Sequence, residues 1–259
     1  MKLLAIILPA LMLLGAAADQ TPVAAQEPEL KVAVEGKFPP FNYVDANGML
    51  QGFDVEIADA LCRNMKSRCT FVMQDWNDMI PGLLDGEYDA IVSSMSMSET
   101  RRQQVDFTER YYNSPSTMIA PKNSGAGIDK PADLRGVRLG VASSTSQEAY
   151  ARQHYPDAEI VIFESSPALY DALIEEQVDI VLEDKLAAYD WLSNTRAGLC
   201  CQFSGEDITD ARFFGEGAGI AIRKQDDALE AQLNEALDAI MTNGEYDMIN
   251  AKYFPFSIR

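Results

Sequence analysis

The densest run of chemistry-bearing residues is Ser93-Ser94-Met95-Ser96-Met97-Ser98-Glu99-Thr100-Arg101, directly after the apolar strand signal Asp89-Ala90-Ile91-Val92. A strand that ends in hydroxyls and then opens a helix brings free carbonyls, free N–H groups and a guanidinium to one point. Such a set can hold a zwitterion. Strand-end carbonyls and Ser hydroxyls accept from an ammonium, while helix N–H groups and Arg101 bind a carboxylate with charge-assisted bonds. Ser96-x-x-Glu99 also matches a capping box, so the same run reads equally as a well-capped helix with nothing bound.

The elements that would position this run occur twice. Leu83-Leu84-Asp85-Gly86-Glu87-Tyr88-Asp89-Ala90-Ile91-Val92 resembles Leu173-Ile174-Glu175-Glu176-Gln177-Val178-Asp179-Ile180-Val181-Leu182, which sets Ser93 and Ser94 opposite Glu183 and Asp184. Leu30–Glu35 and Val137–Ala142 read as first strands, and Phe71–Met73 and Ile160–Phe163 as second strands. Two βαβαβ units follow. Ligands of open parallel sheets collect beyond the carboxyl ends of the strands, where both copies carry polar residues, so two such edges are expected to face one cleft. The second copy opens its own helix at Ser143-Ser144-Thr145-Ser146-Gln147-Glu148, with Thr145-x-x-Glu148 as another capping-box match.

The 259 residues begin with Lys2, an apolar run Leu3–Leu14, Gly15 and Ala16-Ala17-Ala18, the parts of a secretory signal. Residues 1–25 are assigned to it, with cleavage after Ala18 or Ala25. The run is short for a membrane span, and no cysteine for lipid attachment lies nearby. The expectation is an exported periplasmic chain without membrane insertion. Lys and Arg number 21 against 40 Asp and Glu, a net charge of −19 that argues against nucleic acid and favours solubility or the attraction of a cationic ligand. Cys62 and Cys69 lie seven apart between a helix and a strand, where an exported chain can close a small disulfide loop. Cys200-Cys201 allows two thiols, a vicinal disulfide or an intermolecular bridge.

Enzymatic machinery is sparse. The one histidine, His154, sits in a polar helix and reads as solvated, and its position leaves zinc without a ligand set. Gly215-Glu216-Gly217-Ala218-Gly219 leads into the strand-like Ile220-Ala221-Ile222, so it reads as a bend or hinge rather than a phosphate loop. Glu183 and Asp184 form a carboxylate pair open to general acid or base use, with a structural salt bridge as the other reading of Glu183.

From about Leu30 to Phe256 the sequence resembles the periplasmic amino-acid-binding proteins of ABC importers, closest to the histidine and lysine/arginine/ornithine group with its octopine and nopaline relatives. The motifs that carry this are Glu35-Gly36-Lys37-Phe38-Pro39-Pro40-Phe41, Gly52-Phe53-Asp54-Val55-Glu56-Ile57-Ala58, Asp89 to Arg101, Gly140 to Glu148, Asp179 to Asp184 and Lys252-Tyr253-Phe254. The resemblance implies an α/β, two-lobed type II periplasmic binding protein fold. Two open, mostly parallel sheets would flank a ligand cleft, with a two-strand hinge between them. One discontinuous lobe would comprise 28–113 and 214–259, the other 114–213.

It implies a carboxylate clamp at Arg101 with the N–H groups of Ser96 and Ser146, and an ammonium site at the Ser94 carbonyl, the Ser96 hydroxyl and Asp184. Ser93 and Gln147 become polar lining, and Cys62–Cys69 the family disulfide. Glu35 matches an acid of relatives that bind basic amino acids. Phe38 and Trp76 either sandwich a ligand guanidinium, which favours arginine over lysine, ornithine or histidine, or wall an apolar pocket for a polar uncharged or aromatic ligand. Ala142, where a leucine is frequent, leaves room for an opine such as octopine. The implied protein is a monomeric, non-catalytic receptor that needs no cofactor or metal and delivers its amino acid to a membrane permease. The alternatives are an exported dehydratase-type enzyme on the same fold, or a sensor module.

Overall fold

The computed structural model describes residues 28–259 apart from 123 and 125–133, so the expected signal segment lies outside the described residues. The chain opens with β1 (Glu29–Val34), then the short β2 (Lys37–Phe38), β3 (Asn42–Val44) and β4 (Leu50–Gln51). It continues through α1 (Phe53–Asn64), β5 (Arg68–Met73), α2 (Met79–Leu84), β6 (Ala90–Ile91), α3 (Glu99–Arg102) and β7 (Asp106–Tyr112). A second series follows: β8 (Ser116–Pro121), β9 (Arg138–Ala142), α4 (Ser146–His154), β10 (Glu159–Phe163), α5 (Ser166–Ile174), β11 (Ile180–Asp184), α6 (Lys185–Asn194) and β12 (Cys201–Ile208). The chain closes with α7 (Ala211–Phe214), β13 (Ala218–Ile222), α8 (Asp227–Thr242) and α9 (Glu245–Tyr253).

The duplication read from the sequence is visible in strand order. One sheet runs β5-β1-β6-β13-β7 and the other β10-β9-β11-β8-β12, so each copy lays its three strands down as second, first, third. Those three are parallel in both sheets. The fourth strand, β13 in one and β8 in the other, runs against its neighbours, which leaves four of five strands in each sheet pointing the same way. The chain passes between the sheets twice, from Tyr112 to Ser116 and from Ile208 to Ala218. β2, β3 and β4 form a small antiparallel ribbon beside the first sheet.

Each sheet is covered on both faces, as its almost wholly apolar central strands require. Every residue of β13 is buried. On one face of the first sheet, Phe53, Ile57 and Leu61 of α1 meet Leu233, Leu237 and Ile240 of α8 and Ile249 of α9; Met79 and Leu83 of α2 cover the other. In the second sheet, Leu139, Val141 and Ile180 face Ala151 of α4, while Ile119 and Val181 face Leu169 and Leu173 of α5. The entry to α1 depends on Gly52, at φ +129°, where a Cβ would lie 2.2 Å from the Phe41 carbonyl oxygen.

Cys62 and Cys69 are bonded, with Cα atoms 5.7 Å apart, and close the loop between α1 and β5. Cys200 and Cys201 are bonded to each other, the vicinal form of the three open readings. His154 corrects one expectation. It is half-buried rather than solvated, its ring stacked 4.2 Å from Tyr150 and its Nε2 3.9 Å from Asp210, because α4 packs against α7.

Candidate ligand-binding site

All ten residues singled out as ligand-binding line one cavity: Glu35, Phe38, Trp76, Ser93, Ser94, Ser96, Arg101, Ser146, Gln147 and Asp184. Their common origin is topological. Glu35 follows β1, Trp76 follows β5, Ser93 follows β6, Ser146 opens the helix after β9, and Asp184 ends β11. Parallel strands deliver every one of these at a carboxyl edge, and the two edges face each other.

Arg101 lines the cavity from the four-residue α3, where it is buried. Its Nη1 donates to the Ser96 carbonyl at 3.1 Å and its Nη2 to the Ser144 carbonyl at 3.2 Å, so the guanidinium joins the two edges. Its Cζ lies 5.1 Å from the centre of the Trp76 ring, and Trp76 Nε1 also donates to Ser144 O, at 3.1 Å. Burial pulls the guanidinium down to about 10, which still leaves it charged at neutral pH. Trp76 therefore stacks on the protein's own arginine, and Phe38 stacks on Phe41 at 5.3 Å.

The capping box expected at Ser96-x-x-Glu99 does not form. Ser96 pairs with Ala218 and the Met97 N–H donates to Gly217 O, which holds these residues in a bridge to β13. The helix starts later, capped by Ser98, whose hydroxyl accepts from the Arg101 N–H at 3.4 Å. The stronger helix N-terminus at the cavity is that of the nine-residue α4. Its Thr145 cap accepts from Glu148 N–H at 3.1 Å, while Glu148 accepts from Ser144 N–H rather than from the cap residue.

Ser94 is held in place from behind. It has φ +53°, its N–H donates to Tyr111 Oη at 2.9 Å, and its hydroxyl donates to Asp54 at 2.9 Å. Asp54 is fully buried in α1 and also accepts from Tyr111 (2.7 Å) and from Asn42 (2.7 Å). Burial raises its carboxyl to about 6 against the pull of those three donors. Ser93 Oγ accepts from the Glu35 N–H at 3.1 Å, tying the ends of β1 and β6 together. Gln147 donates to Ser116 Oγ at 3.0 Å.

Asp184 caps α6, one oxygen accepting from Leu186 N–H (2.8 Å) and Ala187 N–H (3.1 Å), and burial raises it to about 6. The expected structural salt bridge at Glu183 is replaced by hydrogen bonds from Ser166 Oγ at 2.6 Å and from Asp184 N–H at 2.7 Å. No ion pair to Glu183 occurs among the described residues; the side chains that act on it are Ser166, Asp184 and Glu35.

Sequence reasoning missed Asp54 as a positioning group, and it missed Glu164, Ser165 and Ser166, which line the cavity beside Glu183. A signal for the latter existed. They follow β10 as Trp76 follows β5, so the repeat that aligned Ser93 with Glu183 leads to them as well. Among the described residues no cluster of His, Cys, Asp or Glu has the makings of a metal site, and no helix is long and apolar enough to cross a membrane.

The sequence is 38% identical to the L-arginine-binding protein of Pseudomonas aeruginosa, over 96% of this chain and 97% of that one. It is 32% identical to the lysine/arginine/ornithine-binding periplasmic protein of Escherichia coli, over 95% of each. The fold superposes on a Salmonella typhimurium periplasmic binding protein of high arginine specificity with a TM-score of 0.80, at 29% identity, covering 88% of this chain and 99% of that one. Residues 30–256 match the family model for bacterial extracellular solute-binding proteins, family 3; the chain belongs to that family and has the type II periplasmic binding protein fold.

Proposed function

We propose that the protein is a receptor that captures a cationic amino acid, arginine first among them, and delivers it to the permease of an ABC importer. One observation carries this reading: a single cavity is lined by Arg101, by Thr145 and Ser146 at the α4 N-terminus, by Asp184, and by the carboxylates of Glu35 and Glu183. An α-carboxylate suits the guanidinium and the helix N–H groups. The α-ammonium suits Asp184, the Ser94 carbonyl and the Ser96 hydroxyl, and a cationic tail suits the remaining acids. Arginine-, lysine- and ornithine-binding relatives support the choice of ligand.

The protein acts by closing rather than by chemistry. Residues 28–113 with 214–259 form one lobe and 114–213 the other, hinged where the chain crosses between the sheets. Trp76 Nε1 and Arg101 Nη2 both reach Ser144 O, and Ser143 Oγ meets Asn77 Oδ1 at 3.3 Å, so closure has contacts of its own beside those a ligand adds. A signal within residues 1–25 directs export and is removed by cleavage after Ala18 or Ala25, leaving a periplasmic monomer. The relatives are binding proteins, which supports a receptor over an enzyme.

The test is calorimetry of the mature protein with arginine, lysine, ornithine, histidine, glutamine and octopine, followed by analysis of each incubated ligand. Binding of arginine ahead of glutamine, with every ligand recovered unchanged, is the expected result. A chemically altered product would replace the receptor with the dehydratase-type enzyme.

A further inference from the structure

We propose that Glu183 is a specificity-determining residue: together with Glu35 it forms a two-carboxylate clamp that grips a ligand guanidinium from both edges. This rests on reading the protein as a receptor for a cationic amino acid, and it adds a group that the resemblance to known binding proteins did not supply.

The two acids come from opposite sides. Glu35 follows β1 of the first sheet, and Glu183 lies at the end of β11 of the second. The strand after Glu35, β2, lies against α5, whose first residue Ser166 donates to Glu183. Both acids line the cavity, and the charge of Glu35 acts on Glu183. Glu183 is 5% exposed. A buried carboxylate without a cation costs several kcal/mol, which two hydrogen bonds offset only in part. Each carboxylate oxygen has two acceptor sites, so capacity remains after Ser166 and Asp184 are served.

The ligand group that completes such an arrangement is planar and carries donors on two edges. A guanidinium has five N–H groups in a rigid fork and can offer paired donors to carboxylates on two of its edges, whereas an ammonium offers three donors from one point and gives each carboxylate a single bond. The clamp therefore selects arginine over lysine and ornithine, and over citrulline, which has the same shape without the charge.

Proton release gives the clamp a readout of its own. Burial raises both Glu35 and Glu183 from the ordinary glutamate range to about 7, so both are partly protonated near neutral pH before ligand arrives. Other charged groups share the cavity: Arg101 and Glu164 line it with the two acids, Lys37 and Asp75 pair with each other near Glu35, and Asp184 rises only to about 6. Tyr170 on α5 is pushed well above its usual range and stays neutral. A guanidinium that ionises both acids releases protons on binding.

The experiment is calorimetry of arginine binding at pH 7 in buffers of different ionisation enthalpy, on wild-type protein and Glu183→Gln, with citrulline as the uncharged control. The wild type is expected to release protons when arginine binds. Glu183→Gln is expected to release fewer protons than the wild type and to bind arginine about 10- to 100-fold more weakly, with citrulline changed less than about threefold. A Glu183→Gln count equal to that of the wild type, or equal losses for arginine and citrulline, overturns the clamp and leaves the receptor reading intact. A wild-type protein that binds no amino acid overturns both.

Discussion

Replacing Arg101 with alanine removes the one cation at the carboxylate end of the cavity, and the structure sets the size of the effect. The guanidinium carries two N–H donors that now reach Ser96 O and Ser144 O, 3.1 and 3.2 Å away, and a ligand carboxylate would engage this edge as a bidentate pair. Two charge-assisted bonds at about 1.5–3 kcal/mol each amount to about 3–6 kcal/mol, a loss of roughly 10²- to 10⁴-fold in affinity. Stability should change far less. Alanine forfeits two hydrogen bonds and the Trp76 stack, together about 2–3 kcal/mol, but it also ends the burial of a charge whose desolvation already pulls its pKa to about 10. The net change in the ligand-free protein is expected to stay within about 2 kcal/mol. Calorimetry against arginine, lysine, histidine and glutamine reads the first quantity, and thermal unfolding without ligand reads the second. A loss below tenfold, or a loss confined to the cationic ligands, would refute the assignment, since the α-carboxylate is common to all four.

Other outcomes follow from particular contacts. Glu35→Gln should weaken arginine and lysine by about tenfold or more while leaving glutamine within about threefold; equal losses in the same titrations would remove Glu35 from the tail site. Gly215→Ala should lower the unfolding temperature by several degrees, because Gly215 has φ +65° and a Cβ there would sit 2.4 Å from the Met97 carbonyl oxygen, at the chain's return to the first sheet. Replacing Cys62 and Cys69 with serine should cost about 2–3 kcal/mol in denaturant unfolding, the loop-closure value for a short loop, with little change in ligand affinity since neither residue lines the cavity.

What could be read from the sequence depended on range. β1, β5, β6 and their counterparts β9, β10 and β11 are short apolar runs, and their repetition revealed both the duplication and the shared edge where Ser93, Arg101 and Asp184 collect. The cap of α3 was misread because Ser96 spends its backbone on Ala218, more than a hundred residues away, and no local spacing records that pairing. Asp54 escaped notice for a similar reason. Its partners Asn42, Ser94 and Tyr111 come from three separate elements, and nothing in the α1 sequence says that its acid faces inward. Trp76 lines the cavity, but its neighbour, the guanidinium of Arg101, is set by the approach of the two edges. Glu183 shows the limit most plainly: the strand-end position was legible, whereas the lack of a cation around it belongs to the assembled cavity.

The central claim is that this cavity holds the two poles of an α-amino acid at Arg101 and Asp184 while its acids receive a cationic tail. A crystal structure of the mature protein grown with arginine tests it most directly. The account predicts the α-carboxylate within hydrogen-bonding distance of Arg101 and the α4 N-terminus, the α-ammonium at Asp184, and the guanidinium between Glu35 and Glu183. Arginine bound with its carboxylate turned away from Arg101, or seated outside this cavity, would contradict it.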